Sequence, residues 1–254
     1  MTSSPTSRAV LVTGGSRGIG RAIARAFADR GDRVAVHFGT SRDHAEAVLG
    51  ELPGSGHVLV QADMADAAAV GAMVDDAAEA LGGLDVLVNN AGVFVASPPL
   101  SASYQEWQEV WARTLAVNLV GAANATFRAV PHLRAAGGGA VVNVSSRGAF
   151  RGEPQNPAYG ASKAGMNAFA QSMALALAPL GISVAVVAPG FVQTEMAREV
   201  LDGPGGDAVR AQSPFGRVAR PEEVAAAVLW LASPEARFST GTIVDVNGAS
   251  YLRS

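Results

Sequence analysis

Three polar side chains near one apolar run of the sequence have the types needed for proton transfer. The run Ala140–Val144 is rich in valine and predicts a buried strand, and it leads directly into Ser146. The helix predicted after the next loop carries Tyr159 and Lys163, which stand four residues apart and therefore share one face. If that loop folds back, a phenol, an ammonium and a hydroxyl meet at the carboxyl end of a strand, where open α/β sheets bind ligands.

Such a group suits proton transfer to or from a carbonyl or alcohol oxygen. A free phenol has a pKa of about 10, which is too high for efficient acid–base catalysis near neutral pH. A nearby ammonium favours the phenolate and lowers that pKa, and a serine hydroxyl can hold the substrate oxygen. The alternative is a surface Tyr–Lys pair, worth roughly a few tenths of a kcal/mol.

Composition excludes several classes of protein. The 254 residues are 49% hydrophobic and 16% charged, with a net charge of −3, so we expect a globular core and neither a nucleic-acid nor a membrane partner. The absence of cysteine excludes disulfides and fits a cytoplasmic location. No signal core or membrane-spanning run is apparent, and the four histidines lack metal-binding spacings, so no metal site is predicted.

A glycine-rich turn near the start predicts a nucleotide site. The predicted strand Arg8–Val12 leads into TGGSRGIG, Thr13–Gly20, and then into a helical pattern. Glycines let the backbone approach a phosphate, and a helix N-terminus offers free N–H groups to it. The pattern departs from the usual G-x-G-x-x-G, and an ordinary tight turn is the alternative.

The end of the second predicted strand, Arg33–Phe38, indicates which dinucleotide would bind. An NAD site usually has an acidic residue here for the ribose 2′-hydroxyl, but this chain has Thr40, Ser41 and Arg42. Arg17 of the glycine turn is a second cation nearby. This set favours NADP(H) over NAD(H), because it can accept a 2′-phosphate. The alternative is that both arginines are solvated loop charges.

Strands alternate with helices along the whole chain. This pattern predicts an α/β fold with one domain, residues 1–254, in which a seven-stranded parallel sheet carries helices on both faces. We expect a flexible terminus at 1–7, an irregular Gly/Pro-broken segment at 201–217 and a substrate lid at about 195–215. The other predicted strands are His57–Gln61, Leu84–Val88, Ile182–Val187 and Thr242–Val246, and the later helices are Asp43–Leu49, Asp66–Leu81, Tyr104–Phe127, Pro157–Ala178 and Pro221–Ala232.

Two further features allow more than one interpretation. Asn118 lies inside the long predicted helix, where it is either a core residue with satisfied hydrogen bonds or part of a catalytic relay. The tetrapeptide Asn89–Gly92 suits a cofactor ring passing close to the backbone, but it could also be an ordinary turn. An apolar stripe containing Trp107 and Trp111 predicts core or subunit interface.

Together these motifs resemble the short-chain dehydrogenase/reductase family, and within it the 3-oxoacyl-acyl-carrier-protein reductase-like branch. They occur in the family's order over nearly the whole chain. The matching segments are TGGSRGIG (13–20), Asp63, NNAG (89–92), Asn118, Ser146, YGASK (159–163) and PGFVQT (189–194).

The resemblance implies a role for each matching residue. Tyr159 would be the general acid, Ser146 would bind the substrate oxygen, Lys163 would bind the nicotinamide ribose and lower the Tyr159 pKa, and Asn118 would hold a relay water. The remaining cofactor contacts implied are Gly14, Ser16, Arg17, Gly18, Ile19, Gly20, Thr40, Ser41, Asp63, Met64, Asn89, Ala91, Gly92, Pro189, Gly190, Val192 and Thr194.

The resemblance also implies a Rossmann fold, a homotetramer and an NADP(H)-dependent oxidoreductase acting on a 3-oxoacyl thioester or a related small ketone. An NADP(H)-linked alcohol or sugar dehydrogenase is the alternative, and a non-catalytic nucleotide sensor is a third hypothesis. The arginines that dock an acyl carrier in this branch correspond to Gly137 and Leu180, although Arg134 is close by. Arg147 and Arg151 would meet an anionic substrate or remain solvated.

Overall fold

Seven parallel strands form one sheet in the order β3-β2-β1-β4-β5-β6-β7 in the computed structural model, which describes residues 7–253. The seven-stranded parallel sheet is therefore confirmed, with each strand end within two residues of its prediction. Residues 1–6 of the predicted flexible terminus lie outside the described part. The strands are β1 Ala9–Val12, β2 Arg33–Phe38, β3 Val58–Gln61, β4 Val86–Asn89, β5 Gly139–Val144, β6 Ile182–Pro189 and β7 Ile243–Val246.

Helices cover both faces of the sheet, as predicted. They are α1 Gly18–Ala28, α2 Arg42–Glu51, α3 Ala67–Leu81, α4 Tyr104–Leu115, α5 Ala122–Ala135, α6 Pro157–Leu177, α7 Glu195–Asp202, α8 Gly206–Arg210 and α9 Pro221–Leu231. No helix within residues 7–253 has the length and apolarity needed to cross a membrane.

Alternation along the strands divides the core into two layers. In β1, Ala9 and Leu11 pack with α3, α5 and α6, whereas Val10 and Val12 pack with α1 and α9. Successive strand side chains point to opposite faces, so the valine-rich runs bury both sides of the sheet. The carboxyl ends of the parallel strands therefore lie along one edge of the sheet. From β1 the chain adds β2 and β3 on one side and β4 to β7 on the other, so the topological switch point lies between β1 and β4.

The long helix differs from its prediction in length and regularity. It was expected to end at Phe127, but it continues to Ala135 past Pro131. Buried Ala129 and Leu133 pack this last part against the core, which offsets the loss of one helical N–H donor at the proline. Between α4 and α5 the helix widens into a π-helical segment, Ala116–Gly121, which holds Asn118.

The segment predicted to be a substrate lid contains two short helices. α7 and α8 are separated by Gly203–Gly205, and Leu201 anchors α7 with a buried side chain. The Gly/Pro-broken stretch 201–217 was predicted to be irregular, and this was wrong for Gly206–Arg210, which forms α8.

Candidate active site

The glycine turn between β1 and α1 forms a tight cradle. Gly14 and Gly18 adopt positive φ values of 63° and 53°, which favour glycine. A Cβ atom on Gly20 would lie only 2.1 Å from the carbonyl oxygen of Gly14. The turn can therefore fold back against the first turn of α1 only because these positions have no side chain, and this leaves backbone N–H groups free to face a phosphate.

Buried His37 supports this cradle from the second strand. Its Nδ1 accepts a hydrogen bond from the Gly14 N–H at 2.9 Å, and its Nε2 lies 3.1 Å from the carbonyl oxygen of Ala62. Burial lowers the pKa of His37, so the ring is neutral with its proton on Nε2. The sequence pattern gave no signal for this role, because His37 is 23 residues away from its partner.

The adjacent asparagines Asn89 and Asn90, at the end of β4, have different surroundings. Asn90 lines the large cavity at the carboxyl ends of the strands, and its Nδ2 donates to the Gly14 carbonyl oxygen at 3.0 Å. Asn89 instead points into the core, where its Nδ2 donates to Thr126 Oγ1 at 3.0 Å and Asn143 Oδ1 at 2.9 Å. Asn89, which was expected to contact the cofactor, therefore lies outside the cavity. Asn90 lies in the cavity wall, because successive side chains of an extended chain point in opposite directions.

A cavity of about 560 Å³ brings most of the predicted cofactor residues together. Its wall is formed by the carboxyl ends of strands β1 to β6 and the residues that follow them, together with residues of α4, the π-helical segment and α6. The predicted residues in its wall are Gly14, Ser16, Arg17, Gly18, Ile19, Gly20, Thr40, Ser41, Asp63, Met64, Ala91, Gly92, Tyr159, Lys163 and Thr194. The wall also contains residues that were not predicted: His37, Gly39, Ala62, Asn90, Val93, Arg113, Val117, Val144, Ser145, Glu195 and Met196.

Three residues predicted from the PGFVQT segment lie beside the cavity rather than in its wall. Pro189 is the buried last residue of β6, and Val192 is buried and bridges to Ala219. Gly190 packs against Asn247, where an added Cβ would lie at 3.1 Å. These residues shape the turn that places Thr194 in the cavity wall.

The end of the cavity next to β2 has no carboxylate from that strand's loop. Thr40 and Ser41 line this end, and exposed Arg17 lines the same cavity. Arg42 is held by Glu46 at 3.5 Å and stacks on the Phe38 ring at 5.3 Å. Hydroxyls and an available guanidinium therefore surround the position after β2.

Asp63 is paired across the cavity mouth by a residue that was not predicted. Arg113 of α4 donates to Asp63 Oδ2 at 2.9 Å, and this bond lowers the pKa of Asp63. The Asp63 side chain also accepts from the N–H of Ala65 at 2.9 Å. Because Arg113 is 50 residues away in the sequence, only the packing of α4 over the end of β3 reveals the pair.

Ser146 and Tyr159 meet at the opposite end of the cavity. Ser146 Oγ accepts from the N–H of Gly148 at 2.9 Å and lies near enough to the Tyr159 hydroxyl to act on its pKa. The ring of Phe94 packs edge-on against the Tyr159 ring, with centroids 4.7 Å apart. The sequence prediction that these two hydroxyls converge is therefore matched by the geometry, although Ser146 itself does not line the cavity.

The electrostatics of Tyr159 differ from expectation. Burial raises its pKa above the ordinary value, and the neighbouring Ser146 hydroxyl only partly opposes this rise. The lowering by Lys163 expected from the sequence is not found: the Lys163 Nζ lies 5.8 Å from the centroid of the Tyr159 ring. Burial therefore sets the direction of the shift, and Tyr159 holds its proton at neutral pH.

Lys163 is buried between the phenol and the end of β5. Its Nζ donates to the carbonyl oxygen of Val144 at 2.8 Å. Burial lowers the pKa of Lys163 to about 8. The ammonium therefore exists near neutral pH, but at a cost in folding free energy.

Replacing Lys163 with Met is expected to flatten the dependence of stability on pH. In the wild type the unfolded chain, with an ordinary lysine pKa of 10.5, binds more protons than the folded chain above pH 8, so stability rises from pH 8 to 10. The two-unit window corresponds to about 2 to 3 kcal/mol. Urea unfolding at pH 7, 8 and 10 checks this, and an equal rise in K163M would contradict it.

Asn118 is fully buried and has hydrogen-bond partners within the protein. Its Oδ1 accepts from the Val93 N–H at 2.8 Å, and its Nδ2 donates to the Val93 carbonyl and to Ser162 Oγ at 3.0 and 3.1 Å. An added Cβ on Gly92 would lie 3.3 Å from Asn118 Oδ1 and 3.6 Å from Lys163 Nζ. The geometry therefore favours the core interpretation for its amide, yet it also brings Asn118 next to the lysine.

Comparisons with known proteins indicate the family of the chain. A family model described as enoyl-(acyl carrier protein) reductase matches residues 14–249. The chain is 38% identical to the 3-oxoacyl-[acyl-carrier-protein] reductase FabG of Staphylococcus aureus strain Mu50, over 97% of this chain and 99% of that protein. It is 40% identical to the cis-4-hydroxycyclohexanecarboxylate dehydrogenase of Sinomonas cyclohexanicum, over 95% of each chain.

A solved structure has the same fold as this chain. The short-chain dehydrogenase of Burkholderia cenocepacia J2315, crystallised in complex with NADP, superimposes with a TM-score of 0.87 at 37% identity, over 96% of this chain and 97% of that one. The relatives and the solved structure match this chain over nearly its full length. The chain therefore belongs to the short-chain dehydrogenase/reductase family of oxidoreductases.

Proposed function

We propose that the chain transfers hydride between NADP(H) and a carbonyl or secondary alcohol, and that it reduces a 3-oxoacyl thioester or a related ketone. The observation that carries this proposal is the meeting of the Tyr159 and Ser146 hydroxyls, with Lys163 beside them, at one end of a 560 Å³ cavity. The FabG relative supports the substrate class, and the neighbour crystallised with NADP supports the cofactor.

The residues present fit a phosphorylated dinucleotide. The cradle at Gly14 and Gly20 is one that a Cβ atom would fill, and it opens at the N-terminus of α1, which favours an anion. Thr40, Ser41 and Arg17 surround the opposite wall without a carboxylate from the loop after β2. These groups would hold the diphosphate and the 2′-phosphate.

The chain's own residues would carry the proton chemistry. Bound NADPH supplies a hydride to the carbonyl carbon. Ser146 Oγ and the Tyr159 hydroxyl would bind the substrate oxygen, and Tyr159 would donate its proton to that oxygen. Because burial raises the pKa of Tyr159, the phenol is protonated and ready to donate. Lys163, protonated below a pKa of about 8, would stabilise the phenolate as it forms.

A panel of substrates tests this function. We expect NADPH to be oxidised with at least one 3-oxoacyl thioester or small ketone, and we expect slower turnover with NADH. The loss of absorbance of the reduced cofactor measures both rates. Tight NADPH binding without turnover across the panel would instead favour the non-catalytic sensor.

An alcohol or sugar dehydrogenase is a second candidate. The dehydrogenase of Sinomonas cyclohexanicum, at 40% identity, supports it. The same three side chains serve oxidation and reduction, so the panel must include secondary alcohols with NADP⁺. The positions that would dock an acyl carrier, Gly137 and Leu180, carry no charge, and this also leaves room for a free small substrate.

Replacing Ser41 with Asp is expected to reverse the cofactor preference. A carboxylate at this position in the cavity wall would repel a 2′-phosphate but could accept a hydrogen bond from a ribose 2′-hydroxyl. We expect the ratio of kcat/KM for NADPH over NADH to fall at least tenfold, or about 1.4 kcal/mol. Ser172→Asp, on the exposed side of α6, is the matched control; an unchanged ratio in S41D would contradict the proposed 2′-phosphate position.

The remaining proposals concern assembly and location. We propose a cytoplasmic homotetramer of single-domain subunits, in which residues of about 195–215 act as the substrate lid. Half-buried Trp107 and Trp111 on α4, together with exposed Phe127 on α5, support pairing through these helices. Sedimentation of the full chain tests the tetramer, which a monomer at micromolar concentration would exclude.

A further inference from the structure

A second cavity of about 210 Å³ lies apart from the cofactor cavity, and the two share no lining residue. Its wall combines two arginines, Arg147 and Arg217, with the apolar side chains of Phe191, Val209, Phe215 and Val218. Arg147 follows Ser146 directly, and the other residues come from the turn after β6 and from the segment around α8. The proposed function does not account for this cavity, although the sequence left open that Arg147 meets an anionic substrate.

Arg147 is buried, with only 4% of its surface exposed, and its hydrogen bonding is incomplete. Nη1 donates to Gln212 Oε1 and to Ser250 Oγ, both at 2.8 Å. A guanidinium has five N–H groups, and Nε and Nη2 donate to no acceptor found among residues 7–253. The Phe191 ring lies 5.4 Å below the guanidinium carbon. The edge of the guanidinium suited to a two-point contact is therefore available.

The charge of Arg147 is also not neutralised by an ion pair. Among the residues that the structure describes, no carboxylate oxygen lies within 4.0 Å of its guanidinium. Glu153 attracts Arg147 only from beyond that distance. The two acidic residues in the cavity wall already have partners: Glu223 binds Arg217 at 2.6 Å, and Asp245 binds Arg253 at 2.7 Å. The cavity therefore presents a buried positive charge with no counterion in direct contact, which is costly.

We propose that this cavity binds a small monocarboxylate with a short aliphatic tail. A carboxylate matches the planar two-point donor pattern of Nε and Nη2, and such charge-assisted bonds are stronger than neutral ones. The apolar wall opposite the arginine would receive the tail, and the volume limits that tail to a few carbons. The ligand would contact both the residue after Ser146 and the segment around α8.

Calorimetric titration of the full chain with sodium butyrate tests the site. For a ligand of six heavy atoms we expect a Kd of about 1 mM. Arg147→Gln should weaken binding at least tenfold. Arg151→Gln is the matched control, because Arg151 lies on the same loop and donates to the same Gln212 oxygen at 3.0 Å but does not line the cavity; it should bind butyrate as the wild type does.

A second variant, Val209→Trp, tests the same site if R147Q does not fold. Val209→Trp should fill the cavity from the α8 side and abolish butyrate binding, while NADPH binding shows that the chain is folded. Equal butyrate affinity in R147Q or in V209W would overturn the site. No saturation of the wild type at about 50 mM, well above the expected Kd, would also overturn it, and inorganic phosphate binding as tightly as butyrate would overturn the role of the tail.

Discussion

Tyr159→Phe is expected to lower kcat by about 100- to 10,000-fold, the range that a general acid contributes. The variant removes one hydroxyl from a site where that group lies beside Ser146, and it leaves the ring and its edge-on contact with Phe94 intact. We therefore expect NADPH to bind with nearly unchanged affinity. Steady-state kinetics and fluorescence titration of NADPH measure the two quantities separately.

Tyr104→Phe is the matched control for this experiment. Tyr104 is 76% exposed at the start of α4, so loss of its hydroxyl should leave kcat unchanged. Full activity in Y159F would remove the proposed acid. Loss of NADPH binding together with activity would instead indicate that the hydroxyl organises the cofactor cavity rather than donating a proton.

Gly20→Ala is expected to weaken NADPH binding at least tenfold and to destabilise the fold. The added Cβ would meet the Gly14 carbonyl oxygen at 2.1 Å and Asn90 Nδ2 at 2.5 Å, so the cradle must open. Overpacking of this kind costs about 1 to 3 kcal/mol. Urea unfolding measures the stability, and NADPH titration of the folded variant measures the affinity.

Gly50→Ala provides the opposite expectation in the same chain. Gly50 lies in α2, and nothing lies within 4 Å of a Cβ atom built on it, so alanine should stabilise the helix by about 0.5 to 1 kcal/mol without affecting NADPH. If G20A bound NADPH as tightly as G50A does, the close approach at Gly14 would have no role in the cofactor site.

Patterns set by the local backbone could be predicted well from the sequence. Valine-rich runs gave the seven parallel strands, because strands buried on both faces are apolar throughout. The order of the glycine turn, Ser146 and the Tyr159–Lys163 pair indicated the family, which the relatives then established. The end of the long helix was missed because packing of Leu133 overrides the local effect of Pro131.

Other features depend on residues that are distant in the sequence. His37 beneath Gly14 and Arg113 on Asp63 join segments 23 and 50 residues apart, which no spacing rule predicts. Asn90, rather than Asn89, faces the cavity because a one-residue step along a strand turns the side chain to the opposite face.

The sequence by itself therefore determined the fold, the family and the identity of the three side chains proposed for catalysis, since these depend on residue types and their order. Only the tertiary structure decided the charge states: burial raises the pKa of Tyr159, lowers that of Lys163 to about 8, and isolates Arg147 in a cavity of its own. The physical reason is that desolvation depends on everything packed around a group, and that packing exists only once the chain has folded.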